Sequence, residues 1–384
     1  MRGLMRGRLG TAAGFALGAV LLLAVAPAVL PAFSLALLGK FLCFAIVAVG
    51  IGLAWGRGGM LTLGQGVFFG LGAYIMAMHM KLADASLFGG SGVPDFMSLY
   101  GSGEVPGWWE PFRSPAVTLL AVVLIPGLVA LVLGLAVFKR RVKGAYFAIL
   151  SQALAAAFAV FLIGQQATTG GSNGLSGFRS FFGFDLQDPN NKVMVYMIAA
   201  AVLLLSLALA RQLMHSRLGE LLVAVRDQEE RVRFLGYDPA TIKTVIYVVA
   251  AVLAGIAGAL FVPLVGIISP ADVGVIPSIA FLIGVAIGGR ATLLGPVLGA
   301  VGIAAAQSGL SSTFPSFWLY FQGLLFVLVI GFMPGGLASL PSLVGRRRKT
   351  RAPAPVPAAP APPAAPATSP AADEKATVPE EARR

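Results

Sequence analysis

Thr62, Gln65 and Tyr74 lie in a strongly apolar stretch, and Ser151 and Gln152 lie in another. Hydroxyl and amide groups in such surroundings hydrogen-bond a small neutral solute without needing a counter-charge. Gly66, Phe69 and Gly70 are interleaved with the first set, so Thr62, Gln65, Gly66, Phe69, Gly70, Tyr74 and Gln152 are the candidate lining of a solute path. Absences narrow the chemistry. All sixteen Asp and Glu fall outside the apolar segments as read from sequence. Proton-coupled and many ion-coupled carriers place carboxylates at membrane depth, so ion coupling is not expected. No phosphate-binding loop occurs, since Gly39-Lys40 is followed by Phe41. No catalytic Ser/His set, paired Asp or His-Glu-x-x-His cluster is present, and two separated histidines, His79 and His215, make no metal site. Passage through a pore, or transport driven by a separate engine, remains.

The elements holding these groups are membrane spans. Of 384 residues, 57% are hydrophobic and 11% charged, with mean hydropathy +0.86; soluble domains carry about 25% charged residues. A span needs about 20 mostly apolar residues. Candidates are 12–31, 33–55, 58–80, 116–138, 144–164, 193–213, 244–268, 276–306 and 316–333. The region Trp55–Tyr74, WGRGGMLTLGQGVFFGLGAY, carries seven glycines between Gly56 and Gly72. Glycine at this density means close helix packing or backbone leaving the helix at membrane depth. Interrupted spans are pointers to substrate paths in transporters.

Net charge +12 does not call for nucleic acid. The basic residues gather at Arg2/Arg6/Arg8, Lys139–Lys143, Arg211–Lys243 and Arg346–Lys349, while loops 81–115 and 165–192 are poor in them. The rich segments are therefore expected on the cytoplasmic side. That pattern closes only if 276–306 is two short spans broken at Gly288-Gly289-Arg290, which makes ten spans with both termini cytoplasmic. The N-terminus imitates a signal peptide, but Pro27 after Ala24-Val25-Ala26 disfavours cleavage there, so an uncleaved first span is expected. Residues 1–345 form the membrane domain, with 211–243 as its cytoplasmic segment. From Arg346 the tail is basic, then Pro/Ala-rich, and cannot bury a core. Lys40 inside a span is costly unless it snorkels or pairs. Trp108 and Trp109 fit an interfacial anchor.

The loop Arg211–Lys243 is where an external engine would act. Leu218, Leu221, Leu222 and Val225 fall at i, i+3, i+4, i+7 and make one apolar stripe on a short helix. Mixed charges follow from Arg226 to Arg233; Gly236 is a helix stop and Pro239 bars continuation. A solvated loop is the plain reading, and a docking surface is the functional one.

The segment SRLGELLVAVRDQEERVRFLGYDPA resembles the cytoplasmic coupling segment of permeases from branched-chain amino-acid-type ABC importers. TTGGSNGLSGF (Thr168–Phe178) and the stretch AGIAGAL through GGRATLLGPVLGA (Ala254–Ala300) agree. Within that superfamily, Leu37–Tyr74, VPDFM (Val93–Met97) and KGAYFAILSQAL (Lys143–Leu154) most resemble a subunit of urea importers, the one similar to the larger branched-chain permease. The resemblance implies an all-α polytopic permease of about ten helices, some short or broken. It implies a second related permease, two cytoplasmic ATPase subunits that use the ATP, and an extracytoplasmic solute-binding protein. No cofactor is implied in this chain. Its membrane would be the bacterial inner membrane, its solute urea or a similar small amide, with branched-chain amino acids or passive small-solute flow as alternatives. Gly219, Leu222, Ala224, Arg226, Asp227, Glu230 and Gly236 would be the ATPase-coupling positions. Family members often carry His at the Gln65 position and another residue at Arg290, which weakens a ligand role for both.

Overall fold

The computed structural model describes residues 14–88, 92–101, 103–142, 144–313, 318–332 and 336. The N-terminal arginines, Lys143 and the tail from Arg346 lie outside them. The principal helices are α1 (Gly14–Val29), α2 (Ala32–Arg57), α3 (Gln65–Phe88) and α4 (Pro115–Lys139). They continue with α5 (Ala145–Gly164), α6 (Pro189–Met214), α7 (Arg217–Phe234) and α8 (Pro239–Val265). The last three are α9 (Val275–Gly288), α10 (Gly295–Thr313) and α11 (Trp318–Phe332). Seven helices of the described chain are long and apolar enough to cross a membrane, and α1 and α10 are shorter apolar helices. The chain is an all-α polytopic protein, helical at each of the ten expected segments.

One boundary differs from the sequence expectation, and one expected break is present. The third span does not begin at 58. Helix α2 widens into π-turns over Gly52–Arg57, the backbone is non-helical through Gly64, and α3 runs from Gln65 to Phe88. Gly59 takes φ +66, a conformation side chains resist, so the helix stops there. The long segment 276–306 does break, with Gly289 at φ 105 between α9 and α10.

The centre of the bundle is α3 packed on α8, with α2 alongside. Gly72 lies against the Gly255 carbonyl and Gly258 against the Phe69 carbonyl, so the two backbones touch. Small residues permit that approach, and dispersion between close backbones replaces the hydrophobic drive that lipid cannot supply. Gly50 meets the backbone of Ala250 in the same way. By contrast α4 and α5 keep long exposed rows, including Leu120, Leu124, Leu128, Ile149 and Phe161, the surface expected of lipid-facing helices. Helix α8 starts on an Asp238 N-cap, whose carboxylate accepts from the Ala240 amide at 3.0 Å and the Thr241 hydroxyl at 2.7 Å. The Thr241 hydroxyl, then the amides of Ala240 and Thr241, hold that carboxyl below the usual range despite some desolvation.

The loop 165–192 is a latch. Leu175–Ser176 pairs antiparallel with Ile267–Ile268 at the end of α8. Gly174, at φ +68, sits against the Ile268 carbonyl, where a side chain would not fit. Asp84 of α3 accepts from the amides of Arg179 and Ser180 at 2.8 and 2.9 Å. Trp109 is fully buried, with Trp108 exposed beside it, so the pair is half core and half surface rather than a simple anchor.

Candidate functional site

The two breaks in the helices meet. Gly56, in the π-turns of α2, has its Cα against the Arg290 carbonyl, and the Arg290 guanidinium lies 4.8 Å over the Trp55 ring. Backbone freed from helical bonding must find partners inside the protein. Here it does. The Leu63 amide donates to Ser151 Oγ of α5 at 3.0 Å, and the Gly66 amide donates to Ser278 Oγ of α9 at 3.0 Å. Ser278 returns its own proton to the Gly274 carbonyl at 2.8 Å. Sequence reading missed Ser278, whose only signal was a hydroxyl in an otherwise apolar segment.

The sequence candidates for a path divide accordingly. Thr62 and Gln65 are buried, and Gln65 Nε2 donates to Thr62 Oγ1 at 3.2 Å. Gln65 Oε1 and the Tyr74 hydroxyl are buried with no partner among the described residues. Gly66 and Gly70 are packing positions: a Cβ at Gly66 would meet the Val273 carbonyl and Ser278 Oγ at 2.5 Å, and one at Gly70 would meet Val273 Cγ1 at 2.5 Å. Phe69 is fully buried in a cluster with Phe44, Phe261 and Phe281, at centroid distances of 6.3, 5.2 and 5.6 Å. Gln152 is partly buried on α5. The structure thus gathers six of the seven on or just before α3, in tightly packed surroundings.

A cavity of about 180 Å³ opens on the far side of that aromatic cluster, between α2, α9, α10 and α11. Phe44 and Phe281 form part of its wall, together with Ile276, Pro277 and Ile303. Its polar lining is Lys40, Asp272, Gln307 and Gln322. None of the seven sequence candidates lines it. The Lys40 ammonium lies 5.8 Å from the Phe44 ring centre and 6.0 Å from that of Phe261, cation–π contacts that soften its desolvation. Asp272 ends a 3₁₀ turn, Pro270–Asp272, where its Oδ2 accepts from the amide and hydroxyl of Ser269 at 3.0 and 2.7 Å. The expectation that no carboxylate enters a span needs correcting on two counts. Asp272 lies at the head of the apolar segment Pro270–Gly288, and Asp84 lies within Gln65–Leu87. Helix α3 runs past the apolar run visible in sequence and a 3₁₀ turn leads into α9, with Asp84 satisfied by the Arg179 and Ser180 amides and Asp272 by Ser269.

On α7 the apolar stripe is turned inward. Leu222 and Val225 are buried, and Leu222 packs under Gly58. Arg226 Cγ covers Gly59, and Arg226 Nη1 donates to the Gly56 carbonyl at 2.9 Å. Arg226 also pairs with Asp227 at 2.8 Å. The expectation that the stripe is an open docking surface is therefore corrected: the chain's own broken segment fills it. Gly219 is buried because its Cα rests on the carbonyls of Leu213 and Met214, behind the Ser216 N-cap. Gln228 interrupts the helix with φ −150 and ψ 79. Glu229 bridges Arg233 and Lys243, at 3.1 and 2.7 Å, and so ties α7 to α8. Ala224, Asp227 and Glu230 face outward. Beyond them Phe234, Leu235 and Tyr237 stand 90%, 76% and 50% exposed around Gly236, which closes the helix at φ +87. Those three were legible only as large apolar residues flanking a glycine stop. Exposed large apolar side chains grouped at one helix end make this segment a candidate interaction surface.

Comparisons with known proteins agree with this architecture. The family described as "Branched-chain amino acid transport system / permease component" matches residues 33–330. The high-affinity branched-chain amino acid transport system permease protein LivM of Salmonella typhimurium is 26% identical over 316 residues, covering 77% of this chain and 67% of that protein. LivM of Escherichia coli matches with the same identity and coverage. No solved structure matches the chain.

Proposed function

The chain belongs to the permease family of branched-chain amino acid transport systems, and from that premise we propose that it is one membrane-spanning half of an ATP-driven importer for aliphatic amino acids. As a family member it is a multi-pass transport subunit rather than a catalytic enzyme. Partner ATPases supply the energy, a second permease completes the passage, and an external binding protein delivers solute. The distribution of basic residues along the sequence supports a cytoplasmic side for α7 and both termini.

One observation carries the reading. Helix α7 is anchored inward by Leu222, Val225 and Arg226 on the broken segment Gly56–Gly59, yet presents Phe234, Leu235 and Tyr237 outward. An ATPase seated on the outward patch would move α7 and, through the Gly56 carbonyl, the break beside Arg290. The six candidate positions from Thr62 to Tyr74 then act as the packed hinge region next to the path.

The solute assignment follows the family's description and the charges of the cavity. Urea, which the local resemblance implies, needs neither Lys40 nor Asp272. The test is uptake into proteoliposomes holding both permeases, the ATPases and the binding protein. ATP-dependent leucine uptake, competed by isoleucine and valine and not by urea, is expected. ATP-dependent urea uptake would reinstate urea as the solute, and ATP-independent flow would make the protein a channel.

A further inference from the structure

Lys40 is the only lysine or arginine between Arg8 and Arg57, and it sits on one of the most apolar helices of the chain. A charge in such a place is expensive unless something neutralises it. Among the described residues its ammonium has ring faces as partners, and no acidic side chain pairs with it. Asp272 is the acidic side chain in the lining of the same cavity, and among the described residues it forms no ion pair with Lys40. Between the two lie aliphatic and aromatic walls, from Ile276 and Ile303 to Phe44 and Phe281. The amides of Gln307 and Gln322 supply neutral hydrogen-bonding capacity at the margin.

We infer that this cavity is a solute subsite for a zwitterionic aliphatic amino acid. The solute's α-carboxylate meets the Lys40 ammonium, its α-ammonium meets the Asp272 carboxylate, and its side chain packs on Ile276, Ile303 and the two phenylalanines. A fixed cation and a fixed anion that do not pair with each other leave room for a ligand carrying the complementary pair, which compensates both charges. The volume, about 180 Å³, suits a solute of leucine size. Urea would leave both charges uncompensated, and a purely anionic ligand would leave Asp272 facing a like charge. The inference rests on the amino acid reading above and deepens it by naming the residues.

The experiment measures equilibrium binding of labelled L-leucine to the detergent-solubilised complex of both permeases and ATPases, without the binding protein. Two competitors separate the roles: 3-methylbutylamine lacks the carboxylate, and 4-methylpentanoate lacks the ammonium. Lys40→Met should weaken leucine binding about tenfold or more, since a charge-assisted hydrogen bond is lost, while leaving the amine's binding unchanged. Asp272→Asn, which keeps an acceptor for Ser269, should weaken leucine similarly and spare 4-methylpentanoate. Lys40→Arg should restore most of the affinity. Assembly of each variant is checked by size-exclusion chromatography, and Lys40→Gln replaces a Met variant that fails to assemble. Equal leucine affinity in wild type and both variants, or no leucine binding to wild type, overturns the subsite. A phospholipid retained only when Lys40 is present, detected by native mass spectrometry with no leucine displacement, overturns it in favour of a lipid site. If leucine binding depends on Lys40 and Asp272 but the full complex pumps urea, the subsite stands and the transport reading falls.

Discussion

The glycine seam around α3 and the cavity beside Lys40 lie on opposite sides of one aromatic cluster, and they solve opposite problems. In the seam, Gly72, Gly255 and Gly258 bring backbones into contact, and freed amides are taken up by Ser151 and Ser278. Side chains leave no room there. At the cavity, Phe44 and Phe281 hold the walls apart, and Lys40 and Asp272 remain unpaired with each other. Glycine density in a membrane protein thus marks where helices close. The charge placed at an apparent cost marks where something else enters.

Breaking the seam should have the largest effect. Gly72→Leu or Gly258→Leu forces a side chain into a partner backbone and should abolish recovery of monodisperse protein. Gly302→Leu, with nothing within 4 Å of its Cβ position, should leave recovery intact. Equal recovery of all three would dissolve the distinction. Next in size, Leu222→Asp buries a charge under Gly58 and should cost on the order of 4 kcal/mol, read as thermal unfolding in detergent. Ala224→Asp, on the outward face of the same helix, should change it by less than about 0.5 kcal/mol. Because Leu222 is internal, that loss would appear in the isolated permease without any ATPase.

Smaller effects sharpen the comparison further. Arg226→Gln removes the donor to the Gly56 carbonyl at a half-exposed site, so it should cost about 1 kcal/mol or less of stability. Under the proposed coupling it should still reduce ATP-driven uptake more than it reduces ATPase binding. Asp238→Ala removes the N-cap of α8, the central helix of the seam, and should cost about 1 kcal/mol. Its carboxyl is held below the usual carboxylate range by the Thr241 hydroxyl, so the stability it adds is complete above the unfolded pKa and lost as pH falls through the folded one. The difference between wild type and Asp238→Ala should therefore stay constant from about pH 8 to 5 and shrink only below about pH 4.

Much of the architecture was legible one segment at a time. Apolar runs of span length, the charge asymmetry that demanded a break near Gly289 and the stripe on α7 can all be read along the chain without knowing which segments touch. The path was not legible. Thr62, Gln65 and Tyr74 read as solute contacts because polar groups in a span suggest a lumen; in the structure all three are buried. The α7 stripe was read correctly as amphipathic, but its partner is Gly58, some 160 residues away by chain position.

Composition and periodicity by themselves determined that the chain is helical, crosses a membrane many times and carries one long charged segment, 211–243, between spans, because hydrophobic transfer and local backbone bonding act along the sequence. Only the tertiary structure decided which glycines touch, which face of α7 is filled from within, and that Lys40 and Asp272, more than 200 residues apart, share one cavity. Electrostatics and steric contact depend on distance in space, and that distance is created when α2 and α9 pack together.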